Sequence, residues 1–177
     1  DPELNGLSGM LITSLEQSRR LSVLTRARMI DVLRQMGKEK VEAIDEALGR
    51  EVARQAGVRV MVLASIHRFD QLYAIEVKVL DTGTSEYLFT LKEEGTGKAS
   101  VPAMIDRLSE RTRERLGEKP AEVLASRVKV GEAVTANLEA HRHYFLAEQL
   151  GGQLDDWSGA LREYRRAVEI DPGFALA

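Results

Sequence analysis

The sequence predicts an α/β fold: a mixed sheet with an antiparallel meander flanked by helices, followed by a C-terminal α-helical hairpin. Three observations predict it. Between residues 58 and 91 the apolar residues change from helical spacing to a continuous run and then to strict alternation. On either side of that segment, leucines, valines and methionines recur at intervals of three and four, which return to the same side of a helix. At the end of the chain, Trp157, Ala160, Leu161, Tyr164, Ala167 and Val168 share one helical face, and the small Ala160 and Ala167 let a neighbouring helix approach closely.

In chain order, Asp1-Pro2 has the pattern of a helix start, and Leu4, Leu7, Leu11 and Leu15 form a stripe that predicts a helix to about Gln17. Leu21-Ser22-Val23-Leu24 predicts a short strand. Thr25 caps a second helix with Met29, Ile30, Leu33 and Met36 inward, closed by Gly37. A third helix starts near Asp45, carries Leu48, Val52 and Ala56, and ends at Gly57. Residues 58–66 are almost continuously apolar, as in a strand covered on both faces. After a tight connection at residues 68–71, Tyr73, Ile75, Val77 and Val79 alternate with Ala74, Glu76 and Lys78, which predicts a half-exposed antiparallel strand. Asp81-Thr82-Gly83-Thr84 supplies a turn, and residues 86–91 return as the third strand. A long helix follows from a Ser100 cap through Val101, Met104, Ile105, Leu108 and Leu116 to Gly117. Residues 118–132, with Pro120, read as a linker, and the remainder as helical. At its end Asp171-Pro172 stops the last helix, because proline disfavours an α conformation in the residue before it.

Charge narrows the function classes. The net charge of −3 is spread over both parts of the chain, and neither has the basic excess of a nucleic-acid footprint. Arg107, Arg111, Arg113 and Arg115 alternate with Asp106, Glu110 and Glu114, so neighbours on a helix neutralise one another and a solvated face is expected. Cysteine is absent, which excludes disulfides and thiol catalysis without assigning a compartment. No apolar run reaches the ~20 residues of a membrane span. Membrane contact by this chain is therefore not expected, and any anchor of a longer parent would lie outside it.

Candidate chemistry fails residue by residue. Gly95-Thr96-Gly97-Lys98-Ala99-Ser100 places Gly-Lys ahead of a helix, as a phosphate loop does. That loop needs a glycine five positions before the second glycine and Ser or Thr after the lysine, where this chain has Lys92 and Ala99. His141 and His143 stand two apart and cannot share a helical face. His67 stands alone, as a structural histidine. Asp155-Asp156 precedes Trp157 at a helix start, where carboxylates cap N–H groups. The serines lack a Gly-x-Ser-x-Gly elbow. The expectation is no catalytic, cofactor-binding or metal-binding residue, and no cofactor.

The order of these elements resembles the TolB-like amino-terminal domain, related to flagellar FlgO-type domains, over residues 1–117. The resemblance rests on Asp1-Pro2-Glu3-Leu4 with the leucine helix, Leu21-Ser22-Val23-Leu24-Thr25-Arg26, Glu51-Val52-Ala53-Arg54-Gln55-Ala56-Gly57 and Val79-Leu80-Asp81-Thr82-Gly83-Thr84. Residues 133–177 resemble the start of a tetratricopeptide repeat array, through Leu138-Glu139-Ala140-His141 and Asp171-Pro172-Gly173-Phe174-Ala175-Leu176-Ala177. The match is carried mainly by the second repeat helix, since Gly151-Gly152 interrupts the first. In bacteria this pairing accompanies membrane-linked serine/threonine kinases, adenylate cyclases and transcriptional regulators. The resemblance implies a non-enzymatic sensory or scaffolding module of a bacterial signalling protein, binding a protein or peptide through its repeats. The alternative is a small-molecule sensor using a crevice beside the sheet. It implies an extracytoplasmic place if the parent is a membrane-anchored kinase, and a cytoplasmic one otherwise.

Four structural expectations follow. Trp157 and Tyr164 should pack against the preceding helix at Tyr144 or its neighbours rather than be displayed as a binding site. Phe174 and Leu176 should be disordered or covered by another molecule, because a repeat array leaves its last face uncapped where it is cut. The array should continue into a longer protein. A sheet strand present in the family before Asp1-Pro2 should be missing between or beside residues 21–24 and 58–66, to be compensated by self-association into a homo-oligomer, by a shifted segment filling the gap, or by lower stability, with self-association favoured.

Overall fold

A computed structural model of the chain describes residues 6–38, 41 and 44–177. The expected helix start at Asp1-Pro2 and the first leucine of the stripe, Leu4, lie outside the described residues. Helix α1 (Leu7–Glu16) carries the rest of that stripe, with Leu7, Met10, Leu11 and Leu15 buried. Helix α2 (Arg26–Gln35) begins where Thr25 Oγ1 accepts the Arg28 N–H at 3.2 Å. Helix α3 (Glu46–Gln55) begins where Asp45 Oδ1 accepts the Leu48 N–H at 2.8 Å. Each cap satisfies a donor that the first helical turn leaves open. The two helices pack on each other around Val32, Leu33 and Val52, a small cluster apart from the main core.

Strands β1 (Val60–Phe69), β2 (Leu72–Asp81) and β3 (Tyr87–Thr96) form an antiparallel sheet in the order β1-β2-β3. Val62 lies opposite Val79, Ile66 opposite Ile75, and Val77 opposite Leu91. Opposed residues share a face, so Val60, Val62, Ala64 and Ile66 line up with Ile75, Val77, Val79, Phe89 and Leu91. Helices α1 and α4 (Val101–Arg115) cover that face, burying Met10, Met104, Ile105 and Leu108 in the main core.

A single 3₁₀ turn, Lys98–Ser100, joins β3 to α4. Beyond α4 come α5 (Pro120–Ala125), α6 (Val130–Ala133) and the C-terminal pair α7 (Leu138–Gln153) and α8 (Trp157–Ile170). Val130, Val134, Leu138, Ala140, Ala167 and Phe174 belong to the same apolar cluster as the sheet residues, so the helical pair shares the main core. No helix among the described residues is long and apolar enough to cross a membrane.

The structure corrects several expectations. The sheet is antiparallel throughout the described residues rather than mixed. Residues 21–24 form no strand. Ser18 Oγ turns the chain there by accepting the N–H groups of Arg20 and Leu21, while Val23 and Leu24 are drawn into the two apolar clusters. β1 is not covered on both faces, since Ala64, Ser65 and residues 67–69 are exposed. β2 is the central strand and alternates as expected, with Tyr73, Ile75, Val77 and Val79 buried, Glu76 half-buried and Lys78 exposed, but Ala74 and Leu80 on the second face are buried as well. A charged residue in an alternating strand marks an outward face only when nothing packs there, and Ala74 and Leu80 show that part of this one is covered.

Residues 118–132 hold α5 and most of α6, with Val123 and Val130 buried. Asp106 Oδ1 accepts the Val130 N–H at 2.9 Å and so fastens α6 to α4. Arg113, expected on a solvated face, is fully buried against Glu118. Arg107 and Arg111 do reach the surface and both bind Glu93 on β3. The helix continues through Gly151-Gly152, and a β-carbon at Gly151 would stand 3.2 Å from Trp157 Cζ3. That glycine serves the close crossing of α7 and α8.

Candidate functional site

Thr25 fixes the first turn of α2, and that turn sets Arg26 against α7. The Arg26 guanidinium lies 4.1 Å from the Phe145 ring centroid, within reach of the ring's negative face. Its Nε is buried and makes no hydrogen bond. Burial pushes the Arg26 pKa down, and the nearby Glu148 carboxylate pushes it back up. Two helical turns further on, Arg34 Nη2 donates to the Gly152 carbonyl at 2.8 Å, which ties α2 to the end of α7. Tyr164 on α8 donates its hydroxyl to Glu148 on α7, and its pKa is raised first by burial and then by that carboxylate. Tyr144 packs on Tyr164 with ring centroids 5.8 Å apart.

These contacts leave a cleft of about 200 Å³ between α2 and the α7–α8 pair. Ala27 and Ile30 form one wall, Trp157 and Tyr164 the other, and Arg26, Arg34 and Glu148 supply polar groups. The Trp157 wall continues along the outside of α8. Trp157 is 69% exposed, Leu161 50% and Val168 39%, and the three recur at helical spacing on one stripe. Arg162 and Arg165, both exposed, lie along one side of it. Leu154, just before α8, is exposed as well.

Trp157 therefore departs from the sequence-based expectation. Tyr164 does pack toward Tyr144, but Trp157 stands at the first position of α8, where the facing helix has already reached its last turn. Its ring lies over Gly151 of α7. Phe174 departs in the opposite sense. The turn after α8 folds it back into the core, 3% exposed, with its ring centroid 5.1 Å from that of Tyr144. Leu176 remains exposed.

The other residues singled out in the sequence are dispersed. His141 is buried against α1, close beside Gly6 and Gly9, and burial pushes its pKa down to about 4. His143 points toward α8, its Nδ1 2.6 Å from Glu163 Oε2. His67 is exposed on β1. Gly95 and Thr96 are part of β3, and a β-carbon on Gly95 would collide with Ser100 Oγ at 2.5 Å and Met104 Sδ at 2.8 Å. The Gly95 position thus serves close packing of β3 on the start of α4. Ser100 does not cap α4 with its side chain; its hydroxyl donates to the Gly97 carbonyl. Asp156 does cap α8, accepting the Gly159 N–H at 2.8 Å. Sequence patterns did not single out Arg34 or Glu148 for the cleft. Nothing local marks them, because the cleft forms between helices more than a hundred residues apart.

A second concavity of about 170 Å³ lies beside the sheet, under α1. Leu7, Leu11, Ile66, Ile75, Val77, Ile105 and Leu108 line it together with Ser8 and Ser65. Comparison of the chain with protein-family profiles, with curated proteins and with solved structures finds no match.

Proposed function

We propose that this chain is a non-enzymatic interaction module, a sensory or scaffolding part of a bacterial signalling protein. It engages a protein or peptide through the C-terminal helical pair, which we read as the start of a tetratricopeptide array. One observation carries the reading: the cleft between α2 and α8 opens directly onto the exposed Trp157–Leu161–Val168 stripe. Large apolar side chains grouped along one helix, beside a concave polar-edged cleft, are what an amphipathic helix lays its own apolar face against. Arg162 and Arg165 suit a partner with acidic residues flanking its apolar stripe.

The crevice beside the sheet supports the small-molecule reading less well. Its lining is aliphatic apart from two serines, and it lacks the convergent polar groups that orient a small ligand.

The test is calorimetric titration of the chain with a synthetic amphipathic helical peptide bearing leucines at intervals of three and four and glutamates alongside them. Binding is expected, and Leu161→Asp is expected to weaken it by roughly tenfold or more while leaving the unfolding midpoint nearly unchanged. Equal affinity for the wild type and the variant contradicts this assignment of the surface.

A further inference from the structure

Two arginines line the cleft between α2 and the α7–α8 pair, and they are held differently. Arg34 is taken up by the protein: it donates to the Gly152 carbonyl at 2.8 Å and lies 4.0 Å from the Asp31 carboxylate. Arg26 is not. Its Nε is buried and makes no hydrogen bond. Glu148 acts on it only as a nearby charge, and that carboxylate already accepts the Tyr164 hydroxyl. What holds the Arg26 guanidinium is the Phe145 ring, 4.1 Å away, a contact that positions the cation without giving its N–H groups an acceptor. Buried donors in folded proteins are nearly always bonded, so a guanidinium kept half-buried at a cleft without a partner asks for one. Among the described residues Arg142 Nε is buried and unbonded too, but Arg142 does not line the cleft and its Nη2 is 3.2 Å from His143 Nε2.

We propose that Arg26 is the cleft's anchor for a single carboxylate, and that the partner lying on the α8 stripe inserts a glutamate side chain there. The inference rests on the docking role proposed above and names the residue type that the cleft selects. A planar guanidinium matches the two oxygens of a carboxylate, and with Nε covered the two Nη groups are the donors a ligand reaches. The cleft, at about 200 Å³, is too small for a helix and large enough for one side chain. Ile30 and the rings of Trp157 and Tyr164 suit the methylenes of a glutamate, whose charge then reaches past them to Arg26. A phosphate suits the cleft less well, because Asp31 and Glu148 also line it and repel a dianion more than a monoanion. A cation is disfavoured as well. Glu148 is engaged by Tyr164, and Asp31 lies 3.9 Å from Arg28 and 4.0 Å from Arg34.

Calorimetric titration of the full chain tests this with two amphipathic peptides, one bearing glutamates beside its leucines and one with every glutamate replaced by glutamine. Arg26→Gln is expected to weaken the glutamate peptide by roughly tenfold or more and to leave the glutamine peptide unchanged. That loss should persist at about 0.5 M salt, because a partly buried pair is screened little, whereas the loss in an Arg162→Gln, Arg165→Gln variant should fade. Equal weakening of both peptides by Arg26→Gln overturns the proposal, since Arg26 would then only hold α2 in place. Wild-type chain that binds the two peptides equally also overturns it while leaving the docking surface standing. The Arg26 Nε–H resonance of the wild type reads the same contact if the variant folds poorly. It should shift on adding N-acetyl-glutamate methylamide and not on adding the glutamine analogue. That shift in a chain that binds neither peptide supports the carboxylate site and contradicts the docking surface. A resonance moved by neither small molecule nor by the glutamate peptide overturns the carboxylate site.

Discussion

Arg113 and Glu118 form a two-pronged ion pair with both side chains buried, 1% and 0% exposed. Arg113 Nε donates to Glu118 Oε2 at 3.0 Å and Nη2 to Oε1 at 2.7 Å. Ser18 Oγ donates to the same carboxylate, and Arg113 Nη2 reaches Ser126 Oγ. The pair therefore joins the end of α1, the end of α4 and the end of α5. Removing one partner strands a buried charge, so Arg113→Met or Glu118→Gln is expected to cost about 3–5 kcal/mol. Replacing both with apolar residues of similar size should recover much of the loss. A denaturant melt of the two single variants and the double variant checks this.

Two buried groups set the acid limit of the fold. Burial lowers the His141 pKa from 6.5 to about 4, so the unfolded chain takes up a proton at that site before the folded chain does. Stability from this group is complete above about pH 6.5 and lost progressively as pH falls toward 4, an amount of order 3 kcal/mol. Hydrogen bonds from Arg113, above all, lower the Glu118 pKa from 4.5 to about 2, so its contribution is lost lower, as pH falls from about 4.5 toward 2. His141→Asn should flatten the upper part of this loss and leave the lower part in place. Unfolding free energy measured against pH for both proteins reads the difference directly.

Trp157 and Phe174 exchange the roles their sequence context suggests. Trp157→Ala is expected to change stability by less than about 1 kcal/mol, as for an exposed side chain. Phe174→Ala empties a site in the main core and is expected to cost about 3–5 kcal/mol. Thermal unfolding of the two variants should separate them clearly, and the reverse order would restore Trp157 to the core.

Gly95 tests whether the Gly-Lys segment is packing or chemistry. With Ser100 Oγ 2.5 Å and Met104 Sδ 2.8 Å from where a β-carbon would stand, Gly95→Val is expected to destabilise the fold by about 1–3 kcal/mol through overpacking. Lys98→Ala should have little effect on stability. The unfolding midpoints of the two variants decide it.

What the sequence reveals and what it conceals divide along one physical line. Helix starts at Thr25, Asp45 and Asp156 are legible because a capping side chain and the N–H it accepts lie within three residues. The hairpin at residues 81–84 is legible for the same reason, since Asp81 Oδ1 accepts the Gly83 and Thr84 N–H groups. Burial is legible where one element has one clear apolar stripe, as in α1 and α4. It fails where neighbours distant in sequence decide. Arg113 looks like one charge among many on α4 until Glu118 and Ser18 close over it. β1 looks buried because it is apolar, yet Ala64, Ser65 and residues 67–69 are exposed. The cleft was not legible as a site, because Arg26, Arg34 and Glu148 acquire their meaning only when α2 lies across α7.

The central claim is that the Trp157 face is an open docking surface, and Trp157 is the only tryptophan of the chain, so its fluorescence reports that face alone. Iodide quenching measured on the free chain, and again with the acidic amphipathic helical peptide at saturation, is the direct measurement. Strong quenching in the free chain, with a blue-shifted and protected emission when the peptide is bound, is the predicted result. Emission already shielded in the free chain, or equally quenched with the peptide bound at saturation, would contradict it.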